Sequence, residues 1–239
     1  MINLRNFKNI FSIPELRKKI FFTLGVLVIY RLGCYIPVIG VDVKSLHDFM
    51  QQSSRVSGLL SYLNIFSGGA LSRCTLFALG VGPYITASIF MQLLGHSIPE
   101  LEQLLKEGEY GRRLVNQYTR YLALGLSIMY SMTYAWFLEA QGLVLDPGWA
   151  FRFTFVVSLS VGCMAVMWLG EQIQLFGIGG GSSMIIFAGI VGMFPDHIIR
   201  TIHAVQTGRL DIVVAILIWL FLIAIITCIL DRNLTIPTF

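Results

Sequence analysis

Charge is scarce in this chain: 17 lysines and arginines and 13 acidic residues among 239, set against 56% hydrophobic residues and a mean hydropathy of +0.75. That composition belongs to a polytopic membrane protein. Cysteine is scarce too, and Cys34, Cys74, Cys163 and Cys228 fall in or beside apolar stretches without CxxC spacing. They read as small hydrophobes in helices, not as disulfides or metal ligands. The four histidines form no cluster with metal-ligand spacing, since His47 and His96 fall on opposite sides of the predicted topology. Ser182 and His203 would stand roughly 30 Å apart along one helix axis, which argues against intramembrane catalysis. The Gly-rich run 177–181 has no strand before it and no Gly-Lys-Ser/Thr after it, so it is not read as a nucleotide loop. No enzyme activity, metal or cofactor is expected. Charges inside the apolar runs are almost absent as well. Arg31 is the clear case, with Arg73 beside it in a shorter piece, and neither has an acidic partner nearby in sequence. Ion or proton coupling normally needs more; a pathway closed by apolar side chains fits better.

What the chain does have is a series of apolar runs of roughly 20 residues, the length that a membrane-crossing helix needs. Six candidates fall at 20–37, 74–95, 119–138, 151–170, 183–203 and 210–230. Arg31 interrupts the first, and Pro195-Asp196-His197 shortens the fifth. Residues 1–19 are polar and basic without a small-residue cleavage site, so the first span is expected to be retained. They read as an interfacial amphipathic helix in which Ser12 caps and Pro14 and Glu15 fill the first turn. Arg5, Lys8, Arg17, Lys18 and Lys19 precede the first span, and Lys106, Arg112, Arg113 and Arg120 flank the loop after the second. If each span crosses once, both groups share a side, which the positive-inside rule makes cytoplasmic. Pro37 and Gly40 are expected to end the first helix, leaving 41–60 as an external segment.

The stretch 65–94, IFSGGALSRCTLFALGVGPYITASIFMQLL, is apolar enough for a bilayer yet carries Ser67-Gly68-Gly69, Arg73, Gly80, Gly82 and Pro83. Residues 61–73 are too short to cross, and the pattern predicts a half-helix that enters, breaks and continues at another angle. Hydrocarbon cannot satisfy a broken backbone, so such a piece must be buried in protein or line an aqueous cavity. A simply kinked span with glycines for close helix packing is the alternative. The loop 96–118, HSIPELEQLLKEGEYGRRLVNQY, has helical propensity from Glu100 to Glu107, and Gly108 and Gly111 bracket an expected turn before Arg112-Arg113. It reads either as a solvated loop that fixes topology or as a docking surface.

Four segments carry a resemblance to a known family: NIFSGGALSRCTLFALGVGPYITASIFMQLL, KEGEYGRRLVNQYTRY, LVLDPGWAFRFT and MWLGEQIQLFGIGGGSSMIIFAGIV. Together they resemble the N-terminal half of the SecY family of protein-conducting channels, in unbroken order from about Ser12 to Leu230. The resemblance implies an all-α polytopic membrane fold. Residues 20–203 would be an N-terminal clamshell half of five spans, with 210–230 a sixth span and 231–239 a truncated or divergent tail. It implies a plug at 61–73, including Ile65, Phe66, Ser67, Gly68, Gly69, Ala70, Leu71, Ser72 and Arg73. Pore-ring positions fall on Val81, Ile85 and Ile186. The spans 74–95 and 119–138 would form one jaw of a lateral gate, with Gln92 and Asn116 on or beside it. Lys106, Arg112 and Arg113 would lie on the cytoplasmic docking face.

The same resemblance implies an inner-membrane location, with an organellar membrane fitting the residues equally. It implies SecE-like and SecG-like subunits, a SecA motor or ribosome, a translocating polypeptide, surrounding lipid bilayer and, if the protein is split, a C-terminal half on another chain. One departure concerns the turn, Arg-Gly-Ile-Gly-Asn-Gly-Ile-Ser in the family and Phe176-Gly177-Ile178-Gly179-Gly180-Gly181-Ser182-Ser183 here, which is expected to be more flexible. The other is length: the chain stops just after the sixth span, where the opposite gate jaw would begin. Two further readings stand beside the channel subunit: a fragment that binds translocon partners without conducting, and a small-solute secondary transporter, which would also use broken helices.

Overall fold

The computed structural model describes residues 14–43, 45–46, 49, 64, 67–206 and 220. The chain divides into two compact units, Met1–Gly192 and Met193–Phe239. The elements that follow belong to the first, except for the C-terminal part of the last helix. In chain order they are α1 (Pro14–Gly33), α2 (Gly82–Ser97), α3 (Pro99–Lys106), α4 (Glu109–Ala140), α5 (Trp149–Phe176) and α6 (Gly181–Gln206). Among the described residues the fold is all-helical, with only isolated bridges at Pro37–Thr75 and Val41–Val144.

α1 starts at Pro14 with Glu15 in its first turn, where proline's missing N–H costs nothing and an acid suits the helix dipole. It ends at Gly33, earlier than Pro37. Tightened bonds from Cys34 N–H to Arg31 O (3.2 Å) and Tyr35 N–H to Leu32 O (3.1 Å) close its last turn. α4 and α5 contain the predicted spans 119–138 and 151–170 and overrun them at both ends. With 32 and 28 residues they are about 48 and 42 Å long, against roughly 30 Å of bilayer hydrocarbon. Among the described residues they are the two helices long and apolar enough to cross a membrane.

The other expected spans differ for local reasons. α1 opens on Arg17, Lys18 and Lys19, so less of it is apolar. α2 has only 16 residues, because helix begins at Gly82 with Pro83 in the first turn and not at residue 74. The apolar part of the fifth span is shortened as expected, to Gly181–Pro195, although α6 stays helical through Pro195 to Gln206. A proline inside a helix removes one hydrogen bond, a loss that membrane helices tolerate where the freed carbonyl finds another donor. Leu220 is helical; the rest of the predicted sixth span, the tail 231–239, residues 1–13 of the N-terminal segment and residues 51–63 lie outside the described residues.

The expected turn at Gly108 and Gly111 is half right. Gly108 takes φ +78° and separates α3 from α4. Gly111, however, is helical, and a Cβ there would overlap the carbonyl of Leu104. It is a contact glycine that lets α3 fold back on α4, so Arg112 and Arg113 belong to the first turns of α4.

Helices gain little from hydrophobic expulsion inside a bilayer, so close packing and polar cross-links must hold them together. α5 and α6 meet through Gly170 and Gly181, where a Cβ on Gly181 would overlap the Gly170 carbonyl. Between them, the Gly-rich turn makes contacts with α1. Ile178 N–H donates to Thr23 Oγ1 at 3.1 Å, and Phe176 meets Phe22 edge-on at 5.9 Å. α4 and α5 are tied near each end. Arg120 forms two bonds to Glu171, at 2.8 and 2.7 Å, and Arg152 reaches Glu139 at 2.6 Å. Because the Arg120 side chain is 46% exposed, its bidentate geometry is discounted for solvent screening. A double-mutant cycle on Arg120→Ala and Glu171→Gln, read by thermal unfolding in detergent, should give a coupling of about 1 kcal/mol. A coupling near zero would show that the pair contributes no net stability.

Candidate functional site: an enclosed run of turns beside an apolar cluster

Residues 67–81 form no regular helix; they are a continuous run of turns between Asn64 and α2. The described part of the expected plug, Ser67 to Arg73, is therefore turns where a half-helix was expected, and Ile65 and Phe66 lie outside the described residues. The sequence explains the geometry. Gly68, Gly69 and Gly80 take φ of +67°, +85° and +54°, a region that glycine enters without steric cost. Cys74 joins them at φ 48°, held there by bonds on both sides. Its N–H donates to Leu71 O at 3.1 Å, and its carbonyl accepts from Val38 N–H at 2.9 Å.

A broken backbone at membrane depth needs an internal partner for each polar group. Within the segment, Thr75 N–H donates to Ala70 O (3.1 Å), Ala78 N–H to Thr75 O (2.9 Å) and Gly80 N–H to Phe77 O (2.9 Å), while Leu76 N–H pairs with Ile36 O at 2.9 Å. Asn64 Oδ1 accepts from Ser72 N–H at 2.9 Å, and Ser67 Oγ accepts from Leu71 N–H at 3.2 Å. Two distant side chains complete the set. Tyr134 of α4 donates its hydroxyl to Leu71 O at 3.1 Å, and Arg31 of α1 donates to Gly68 O at 2.8 Å. The tyrosine had no sequence signal; the arginine had one, as a charge inside an apolar run.

Glycines on the surrounding helices make the room. A Cβ at Gly162 of α5 would overlap the Leu76 carbonyl, and one at Gly33 of α1 would overlap the Phe77 ring, which stacks on Tyr30 at 5.9 Å. Gly68 also approaches α6, where its Cβ would sit 2.9 Å from Gly189 Cα. The segment is thus enclosed by α1, α4, α5 and α6, buried in protein but as turns and not as the half-helix expected.

Val81, which ends the segment, is 5% exposed and accepts at its carbonyl from Ile85 N–H at 3.0 Å. Val81, Ile85 and Ile186 come together in one apolar cluster, with Ala70 of the turn segment, Ile173 and Ile185. None carries a polar atom on its side chain, so the cluster can pack against a neighbouring surface or close around one without bonding to it. The remaining predicted residues are dispersed. Gln92 lies exposed on α2, bonded at 3.4 Å to Ser88 Oγ. Asn116 is exposed within α4, not just before it. Lys106 pairs with Glu102 at 2.6 Å and Arg113 with Glu109 at 3.7 Å, both on open surface. Arg112 is exposed. No group of metal-ligating side chains forms among the described residues.

The protein-family model named SecY matches residues 75–238 of this chain. Among similar proteins is the protein translocase subunit SecY of Escherichia coli (strain K12), 46% identical over 218 residues that cover 90% of this chain and 49% of that protein. Another is the protein translocase subunit SecY of Thermus thermophilus, 42% identical over 226 residues that cover 92% and 51%. In a solved structure described as that of a protein conducting channel, one chain aligns with 78% of this chain and 40% of its own at 21% identity, with a TM-score of 0.49. The chain spans about half the length of these relatives. The family model alone covers more than half of the residues, and the chain belongs to the SecY family.

Proposed function

We propose that this chain is the N-terminal half of the pore-forming subunit of a protein-conducting channel, one that passes unfolded secretory proteins across a membrane and membrane helices into it. It acts as a passage and not as an enzyme. The observation that carries the reading is the enclosed run of turns at 67–81 leading into the cluster of Val81, Ile85 and Ile186. A channel for polypeptides must close tightly yet bind no particular sequence. Compact aliphatic side chains meet both needs, since they exclude water and ions without offering hydrogen bonds.

In this reading residues 20–203 form the five-span half, 61–73 the plug and 210–230 the sixth span. Gln92 and Asn116 lie along one jaw of the lateral gate. The membrane is the inner membrane with the N-terminus in the cytoplasm, where Lys106, Arg112 and Arg113 face a SecA-type motor or a ribosome. SecE-like and SecG-like subunits and, if the protein is split, a C-terminal half on another chain complete the assembly. Outward apolar side chains support the bilayer setting, among them Leu24, Val28, Leu32, Phe153, Val161 and Trp168, all more than half exposed.

Photo-crosslinkers placed at Ile85 and Ile186 test this, using a stalled secretory nascent chain with and without a separately expressed C-terminal half. Crosslinks at both positions when that half is present are expected. Their absence from a complex that still translocates would remove these residues from the pore.

A further inference from the structure

Arg31 does more than fill a gap in α1. Its Nη1 donates to Gly68 O at 2.8 Å and its Nη2 to Gly192 O at 2.6 Å. One guanidinium thereby joins the turn segment to α6, across 37 and 161 residues of sequence. Room for it comes from glycine: a Cβ at Gly192 would lie 2.6 Å from Arg31 Cζ, and one at Gly68 would lie 3.0 Å from Arg31 Nη1. Tyr35 covers the arrangement from outside, its ring centroid 5.5 Å from Arg31 Cζ and 4.7 Å from Arg73 Cζ. Main-chain carbonyls are neutral acceptors, and among the described residues they are the ones that hold this guanidinium. The bonds are charge-assisted and part-buried.

We propose that Arg31 is a latch: it holds the segment 67–73 against α6 in the idle channel, and opening requires its two carbonyl bonds to be given up. This rests on reading that segment as the plug. Lysine cannot replace it, because a single ammonium lacks the two separated nitrogens that span the carbonyls. Arg31→Lys keeps the charge and most of the stem. Gly192→Ala keeps the arginine and displaces it.

Two native cysteines report the outcome. Cys74 in the segment and Cys163 in α5 are 0% and 1% exposed, so each is alkylated only when its surroundings open. The chain is tested in its native membrane complex, in sealed vesicles, with N-ethylmaleimide labelling of each cysteine read by mass spectrometry and ion leak measured in parallel. In both variants Cys74 labelling should rise about tenfold, the effect of losing a charge-assisted hydrogen bond on a local opening. Cys163 should stay at its wild-type rate, and leak should increase. Unchanged Cys74 labelling overturns the latch. An equal rise at Cys163 also overturns it, because the variants would then loosen the whole unit. Selective Cys74 exposure with wild-type leak overturns the gating role and the plug reading beneath it, while leaving the contact in place.

Discussion

Replacing Gly162 with alanine is expected to destabilise the detergent-solubilised chain by roughly 3 kcal/mol, at the upper end of the overpacking range. The methyl group would overlap the Leu76 carbonyl, which is backbone and cannot rotate away as a side chain would. Either α5 moves off the turn segment or the segment leaves its seat. Both disrupt the pairing of Leu76 N–H with Ile36 O and expose polar groups that the protein interior had paired. Gly125 in α4 is the control, since a Cβ there meets nothing within 4 Å. The same substitution there should be neutral or stabilising by up to about 1 kcal/mol, the helical difference between glycine and alanine. Thermal unfolding followed by circular dichroism separates the two. Equal midpoints for the variants would mean that the close approach at Gly162 is not needed.

Truncation of Phe155 to alanine is expected to cost about 3–5 kcal/mol, the usual loss for a fully buried aromatic. Phe155 is 0% exposed, and its ring lies 5.2 Å from that of Phe151 and 5.7 Å from that of Tyr134. Its cluster also holds Leu71 and Cys74 of the turn segment. The cavity would therefore open behind the tyrosine that bonds Leu71 O, and Cys74 labelling should rise as stability falls. Phe153, two residues away, is 72% exposed, and its truncation should change the midpoint little. If both substitutions shift it equally, the cluster is not packed as described.

Much of the architecture was legible in local pattern. Apolar runs of spanning length marked α4 and α5, and Pro14-Glu15 marked the start of α1, because hydrophobicity and capping are properties of neighbouring residues. The glycines and Pro83 announced a break between 67 and 83. They did not announce its extent, since Thr75, Leu76, Phe77, Ala78 and Leu79 look as helical as any membrane span. What keeps them from helix is the pairing of 36–38 with 74–76 and the left-handed turns at Cys74 and Gly80. Gly111 misled because its local meaning as a breaker was overridden by the close approach of Leu104.

The sequence by itself determined that this is an apolar, helical chain with a broken backbone near residue 70 and an arginine inside its first apolar run. It determined the family as well, through long matched segments whose order is a property of the chain alone. Only the tertiary structure decided what satisfies that break and that charge. Among the described residues the acceptors of Arg31 are the carbonyls of two glycines, not an acidic side chain that residue type would reveal. Every residue carries a carbonyl, so sequence does not mark which ones accept. The same holds for Arg120 and Glu171, 51 residues apart, and for the meeting of Val81, Ile85 and Ile186 in one cluster. Pattern fixes which elements form, over distances of a few residues; which of them touch depends on packing that no short window contains.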